Sequence, residues 1–95
     1  MILSFGDDAT EDLFHGIKSA LARRFPPDIV ARARRLLDHV HRAASPDDLR
    51  AFPSYRLEKL KGDPAEFWSL RVNDKWRAIF KWNGGAHEVA IVDYH

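Results

Sequence analysis

The sequence predicts an α+β fold: a single compact domain over residues 1–95, with two N-terminal helices packed on one face of a mostly antiparallel β-sheet. The first half of the chain holds two segments whose apolar residues recur at the helical period. The second half holds two consecutive runs that alternate apolar and polar residues, each followed by a turn signal. Helices that precede a group of strands, rather than alternating with them, are typical of α+β proteins.

The composition agrees with this class and excludes several others. The 95 residues are 45% apolar and 31% charged, which is the balance of a globular protein with a modest core. No apolar run approaches the roughly 20 residues of a membrane span. No signal peptide follows Met1, and the chain has no cysteine for disulfides or thiolate ligands. We therefore expect a cytoplasmic protein that does not associate with membranes.

The first helix is predicted to begin with Asp8 as its N-cap and Glu11 three residues later. Its apolar stripe reaches Leu21, and Pro26-Pro27 ends the segment. The predicted stripe consists of Leu13, Phe14, Ile17, Ala20 and Leu21. A short edge strand is predicted before this helix, over Ile2–Phe5.

A second helix is predicted to open at Asp28. Its apolar stripe consists of Ile29, Val30, Ala33, Leu36, Leu37 and Val40. Four arginines fall outside this stripe and are predicted to form a solvated face: Arg32, Arg34, Arg35 and Arg42. Ser45 followed by Pro46 predicts one further helical turn through Leu49.

The run from Phe67 to Trp82 predicts two strands with one apolar face and one cationic face. The odd positions, which form the cationic face, include Ser69, Arg71, Arg77, Ile79 and Lys81. A three-residue turn at residues 73–75 keeps each face uniform and sets Arg71 directly across from Arg77. Like charges opposed in this way are unfavourable by about 0.2–1 kcal/mol. A bound anion would remove the repulsion; the alternative is that both guanidinium groups extend into solvent.

A second hairpin is predicted at Asn83-Gly84-Gly85, with the two glycines as central residues. The predicted cross-strand pairs are Lys81 with Glu88, Phe80 with Val89, Ala78 with Ile91 and Lys75 with Tyr94. This register puts Tyr94 on the cationic face. Strict alternation directs Asp93 and His95 to the opposite face.

Several motifs occur together in this chain. They are Leu60-Lys61-Gly62-Asp63, the runs 67–73 and 76–80, the ending Asp93-Tyr94-His95, the opening Ser4-Phe5 and the helix break Pro26-Pro27. The combination covers nearly the whole chain and closely resembles the HigB toxins of the RelE/ParE superfamily of bacterial toxin–antitoxin systems. The resemblance implies a RelE-like α+β ribonuclease that enters the ribosomal A site, cuts mRNA there and stops translation.

The resemblance also implies the partners of the protein. Its neutralising partner would be a HigA-type helix-turn-helix antitoxin, and the complex would repress its own operon, so that operator DNA is contacted only through that complex. No metal or other cofactor is expected. His39 and His41, for example, are two residues apart and point in different directions on a helix, so their spacing does not suit a metal site.

Metal-free RNA cleavage uses the 2′-OH of the substrate as nucleophile on the adjacent phosphate. It needs a base, an acid and cations for the charge on the phosphoryl oxygens. His95 is the best candidate for proton transfer, Asp93 for orienting His95 or transferring a proton itself, and Tyr94 for stacking on a base. The candidates for holding phosphates are Lys59, Lys61, Arg71 and Arg77. By resemblance, Asp93, Tyr94 and His95 match the functional C-terminal triplet of the family, and Lys61 and Arg77 match its basic positions.

Glu58 departs from the family pattern, because some members have a functional histidine at this position. A glutamate can act as a general base there, but it cannot supply positive charge to a phosphate. The alternative is that Glu58 pairs with Arg56 or Lys59, and that catalysis rests on Asp93 and His95.

Two other functional classes remain open on the sequence. ParE-like relatives share the fold but inhibit DNA gyrase without cleaving RNA. A plain nucleic-acid-binding module would use the cationic sheet without chemistry. The terminal Asp93-Tyr94-His95 favours the nuclease, since a non-catalytic binder has no need of such a group.

Overall fold

The computed structural model describes residues 1–61 and 66–93 and confirms the α+β class. Its helices and strands are α1 (Asp8–His15), α2 (Pro27–Arg42), β1 (Glu58–Lys59), β2 (Trp68–Arg71), β3 (Trp76–Trp82) and β4 (Ala86–Asp93). Three short 3-10 helices lie at Ala22–Arg24, Pro46–Ala51 and Pro53–Tyr55. The strands form one antiparallel sheet in the order β1-β2-β3-β4. Within the described ranges, no helix combines the length and hydrophobicity that crossing a bilayer requires.

Helix α1 is shorter than predicted, and its N-cap lies one residue earlier. The Asp7 carboxylate accepts a hydrogen bond from the Thr10 amide at 2.7 Å, so Asp7 rather than Asp8 is the N-cap. The helix ends at Gly16, which adopts a φ of 73°. The amide of Ile17 then bonds back to the Asp12 carbonyl at 2.9 Å, which is the closure of a Schellman motif.

The predicted continuation of α1 to Leu21 is therefore wrong. Residues 17–21 keep an apolar period, but the left-handed turn at Gly16 separates them from the helix. Ile17 and Leu21 are 52% and 39% exposed.

Helix α2 confirms its predicted stripe. Pro27 occupies the first turn, where its missing N–H costs no intrahelical bond. The buried residues of the helix are Ile29, Ala33, Leu36, Leu37 and Val40. They pack against the even-numbered residues of β2 and β3, of which Leu70, Ala78 and Phe80 are fully buried. The helical layer thus covers the apolar face of the sheet and leaves the odd face on the other side.

The N-terminal segment lies alongside β4 as two isolated parallel bridges, Ile2 with Ala86 and Phe5 with Val89. The predicted edge position is right, although the pairing is too broken to count as a strand. Gly85 allows the close approach, since a Cβ there would lie 2.7 Å from Leu3 Cδ1. The four strands themselves are antiparallel, and these isolated bridges add parallel pairing at the outer edge of β4.

The predicted β2–β3 register is confirmed, with Leu70 opposite Ala78 and Arg71 opposite Arg77. The Val72 amide donates to the Trp76 carbonyl at 2.9 Å, and the Asn73 side chain accepts from the Trp76 amide at 2.8 Å. The asparagine carboxamide thus organises the three-residue turn.

The β3–β4 register is partly wrong near the turn. Ala78 faces Ile91 as predicted, but Lys81 faces His87 rather than Glu88, and the predicted pair of Phe80 with Val89 is lost in a register shift. The loop contains three residues rather than two, and Glu88 takes a φ of 54° as an extra residue that restores the pairing beyond it. Lys81 and Glu88 still form a 3.0 Å ion pair. The predicted pair of Lys75 with Tyr94 lies outside the described residues.

Candidate functional site

The face of the sheet opposite the helices carries a cluster of polar and charged residues on three strands, β1, β2 and β3. Glu58 of β1 lies opposite Ser69 of β2, which in turn lies opposite Ile79 of β3. Two residues further along the same strands, Arg71 lies opposite Arg77. Because directly opposed residues point to the same face, the strand pairing alone brings these charged side chains together.

The two arginines do not share a single site. Arg71 is turned to the β2–β3 turn, where its guanidinium is hydrogen-bonded to the Asp74 carboxylate. That hydrogen bond, together with the charge of Arg71, holds the pKa of the Asp74 carboxyl below its ordinary value.

Arg77 points the other way, across β2 toward β1. Its Nη1 donates to Ser69 Oγ at 3.3 Å and lies 3.8 Å from Glu58 Oε1. The Arg77 side chain is only 20% exposed, whereas that of Glu58 is 57% exposed. The sequence left open whether a bound anion relieves the repulsion or both guanidinium groups extend into solvent. Each guanidinium lies beside a carboxylate instead of extending alone into solvent, and anion binding at this pair stays a prediction.

Glu58 therefore pairs with Arg77 rather than with Arg56 or Lys59, the neighbours proposed from the sequence. Lys59 follows it on β1, opposite Trp68, and so lies on the other face of the strand. Its Nζ sits 5.4 Å from the centre of the Trp68 ring, a cation–π contact. Lys61 is exposed two residues after β1.

Lys59 belongs to a separate cavity of about 550 Å³ at the end of the sheet that holds the β3–β4 turn. The cavity is lined by Ser4, Lys59, Glu66, Trp68, Lys81, Trp82, Asn83, His87 and Glu88. Among the described residues that line it, two lysines are matched by two glutamates. Neither Arg71 nor Arg77 lines it.

Asp93 ends β4 and is exposed, directly opposite Trp76 of β3. The pairing places it on the same face of the sheet as Trp76. Val92, the residue before it, lies directly opposite Arg77. Tyr94 and His95, the other members of the predicted C-terminal triplet, lie outside the described residues.

Two residues with clear roles were not singled out from the sequence. Ser69 is fully buried although it lies on the polar face, and it is a hydrogen-bond partner of Arg77. The predicted register contained the signal, since Ser69 is the diagonal neighbour of Arg77 on that face. The sequence predicts that Arg32 lies on a solvated face of α2. It is instead half-buried, and its Nε donates to the Val72 carbonyl, which ties the helix to the end of β2.

The histidines of α2 have structural partners. His39 Nδ1 lies 2.9 Å from the Tyr55 hydroxyl, and its ring stacks on Phe52 with centroids 4.1 Å apart. Burial raises the pKa of the Tyr55 hydroxyl, against the opposing charge of Arg32. His41 Nδ1 accepts from the Ile2 amide at 3.1 Å. In the part of the chain that the structure describes, no three acidic or histidine side chains are grouped where they could hold a metal ion.

Comparison with known proteins assigns the chain to a family. Residues 3–95 match the model of the HigB-like toxins, described as the RelE-like toxin of type II toxin-antitoxin system HigB. The chain is 33% identical over 95 residues to Toxin HigB-1 of Vibrio cholerae serotype O1, covering 100% of this chain and 98% of that protein. It is also 33% identical over 97 residues to Endoribonuclease HigB of Proteus vulgaris, with 100% of both chains covered.

A solved structure, the YoeB/ParE toxin from Agrobacterium tumefaciens, has the same fold. It superposes with a TM-score of 0.51 at 16% identity, covering 99% of this chain and 97% of that one. The chain belongs to the HigB-like family of RelE-like toxins, and as the toxin of a type II toxin-antitoxin system it has an antitoxin as its partner.

Proposed function

We propose that the protein is an endoribonuclease that cleaves mRNA in the ribosomal A site and so inhibits translation. One relative that matches over its full length carries the name Endoribonuclease HigB, which supports RNA cleavage. The observation that carries the proposal for this chain is the pairing of Arg77 with Glu58 on the open face of the sheet, with 3.8 Å between Nη1 and Oε1. A cation for a phosphate and a carboxylate for a proton are thereby placed side by side.

Arg77 is the proposed phosphate-binding cation. Its guanidinium has several N–H donors, and Ser69 occupies one of them. Glu58 lies 3.8 Å from Arg77 Nη1 and is largely exposed, so a phosphodiester of the RNA can replace it as a partner of Arg77. Arg71, Lys61 and Lys59 are proposed to hold neighbouring phosphates along the RNA.

Proton transfer is assigned to carboxylate and imidazole groups. Once a phosphate has taken its place beside Arg77, the Glu58 carboxylate is free to accept the proton of the attacking 2′-OH. His95 is proposed to protonate the leaving 5′-oxygen, with Asp93 orienting it, and Tyr94 to stack on a base of the substrate. The 2′-oxygen forms the new bond to phosphorus as the bond to the 5′-oxygen breaks, so this scheme is complete with the groups named here.

The antitoxin is proposed to be a HigA-type helix-turn-helix protein, and the toxin to meet operator DNA only within that complex. Ribosomes and mRNA are the proposed targets, and the cytoplasm is the proposed site of action.

A reconstituted translation reaction tests the proposal. The purified toxin is added to a defined mRNA, and the cut positions are mapped by primer extension with and without ribosomes. We expect cuts at fixed positions within codons that require ribosomes and that disappear with His95→Ala. Inhibition of translation without cuts would contradict the nuclease and indicate a binding module, and relaxed plasmid DNA in a gyrase assay would indicate a ParE-like inhibitor.

A further inference from the structure

Ser69 occupies an unusual position for a small polar residue. It lies in the middle of β2 on the open face of the sheet, between Glu58 of β1 and Ile79 of β3, and yet none of it is exposed. Buried polar groups in folded proteins are almost always hydrogen-bonded, because leaving one unpaired destabilises the fold. The Ser69 hydroxyl meets this requirement through Arg77, whose Nη1 donates to it at 3.3 Å.

The geometry of the sheet shows why this contact matters. Arg77 faces Arg71 directly, and two opposed guanidinium groups repel each other. Ser69 is two residues before Arg71 on the same strand, so it lies diagonally across from Arg77. A hydrogen bond in that direction draws the Arg77 guanidinium away from Arg71 and over β2 toward β1.

Glu58 alone does not fix this direction. Its contact with Arg77 is long, at 3.8 Å, and its side chain is 57% exposed on a two-residue edge strand. A bound phosphate would also displace it. The acceptor of the Ser69 contact is fully buried and lies in the central part of the sheet, so this contact persists when Glu58 is replaced by the substrate.

We propose that Ser69 is a positioning residue that orients the Arg77 guanidinium for a phosphate group of the RNA. The inference rests on the proposed function for its consequence in catalysis, whereas the orientation itself is a property of the free protein. Ser69 has no part in proton transfer, and it acts on the substrate only through Arg77.

The kinetic test compares Ser69→Ala in two backgrounds, with cleavage of mRNA on programmed ribosomes as the readout. In the wild-type background we expect kcat/KM to fall about fivefold to tenfold, the effect of losing one intramolecular hydrogen bond of ordinary net strength. In an Arg77→Ala background we expect the same change to alter kcat/KM by less than about twofold, because Ser69 then has nothing to position. An equal loss in both backgrounds would overturn the proposal.

A spectroscopic test does not depend on cleavage. With 15N-labelled arginine, the side-chain signals of Arg77 are assigned by their disappearance in Arg77→Lys. We expect Ser69→Ala to shift the Arg77 signals and to speed their exchange with water, while the Arg71 signals stay in place. Unchanged Arg77 signals would refute the positioning role. If the wild type fails to cleave RNA while these shifts appear, the proposed function fails and the positioning role stands.

Thr10→Val is the matched control for stability. Thr10 is also fully buried, and its hydroxyl accepts from the Ile91 amide at 2.9 Å, in a contact that joins α1 to β4. We expect Thr10→Val to lower the melting temperature without moving the Arg77 signals. Its effect on kcat/KM should be the same in the wild-type and Arg77→Ala backgrounds. Should Ser69→Ala fail to fold, Ser69→Cys keeps the volume with a weaker acceptor, and the same Arg77 shifts are required of it.

Discussion

Arg71 and Arg77 face each other directly across β2 and β3, and their guanidinium groups are turned to different carboxylates. Arg71 bonds to Asp74 in the adjoining turn, and Arg77 lies 3.8 Å from Glu58 on the far edge strand. The repulsion between the two like charges is thus reduced, because the two guanidinium groups turn in different directions along the same face of the sheet. As a consequence, the largely buried Arg77 guanidinium lies beside the exposed Glu58 carboxylate.

We expect Arg77→Ala to reduce cleavage by about a hundredfold or more, because a preorganised cation at a phosphoryl oxygen contributes several kcal/mol to the transition state. Folding and antitoxin binding should persist. The measurement is kcat/KM on programmed ribosomes, with circular dichroism and a pull-down by the antitoxin. Arg50→Ala is the matched control, since Arg50 forms an exposed 2.9 Å ion pair with Asp47 away from the sheet face. Arg77→Ala cleaving as fast as this control would remove Arg77 from the site.

Glu58→Gln tests the proposed base. The amide keeps the size of the side chain and a polar contact to Arg77 but cannot accept the proton, so we expect kcat to fall about 10²-fold to 10⁴-fold. The pH dependence of kcat distinguishes this role from ion pairing, because loss of the base should also remove the acidic limb of the profile. A kcat within about threefold of wild type, with only KM changed, would assign Glu58 to the ion pair with Arg77 alone.

Arg32→Ala should destabilise the fold without a direct effect on chemistry. Its Nε donates to the carbonyl of the buried Val72, just after β2, and its guanidinium lies 6.0 Å from the Tyr55 ring centre. Losing the bond leaves that carbonyl unpaired, at a cost of about 1–3 kcal/mol in the free energy of unfolding. For a domain of this size each kcal/mol corresponds to roughly 4–8 °C in melting temperature. Arg42→Ala, which loses only an exposed pair with Asp38, should change stability by less than about 0.5 kcal/mol.

The Asp74 carboxyl should titrate below the ordinary aspartate value because Arg71 donates a hydrogen bond to its ionised form. A depressed folded-state pKa contributes stability that is present above the unfolded-state value, near 3.9, and is lost as the pH falls through the folded-state value. We therefore expect the Arg71–Asp74 contact to weaken only in acid. The NMR titration midpoint of Asp74 checks this, and it should rise toward the ordinary value in Arg71→Ala. An identical midpoint in both proteins would contradict the assignment.

Much of the fold followed from local patterns. The apolar stripe of α2 and the parity of β2 and β3 predicted the correct faces, because side-chain direction follows directly from helical and strand periods. The end of α1 did not follow, since the apolar period continues past Gly16 while the left-handed turn at that residue ends the helix. The β3–β4 register failed near its turn for a similar reason: an extra residue at Glu88 leaves no mark in the alternation of the sequence.

By itself, the sequence determined the two-layer architecture, the cross-strand pairing of Arg71 with Arg77, and the motifs that resemble the HigB toxins. Only the tertiary structure decided which carboxylate each arginine meets, that Ser69 is buried beneath Arg77, and that Arg32 reaches the end of β2. Strand register specifies which residues are opposed, but a long side chain can then turn along the sheet in either direction. That choice depends on acceptors supplied by other strands and turns, and their positions are set by packing of the whole chain.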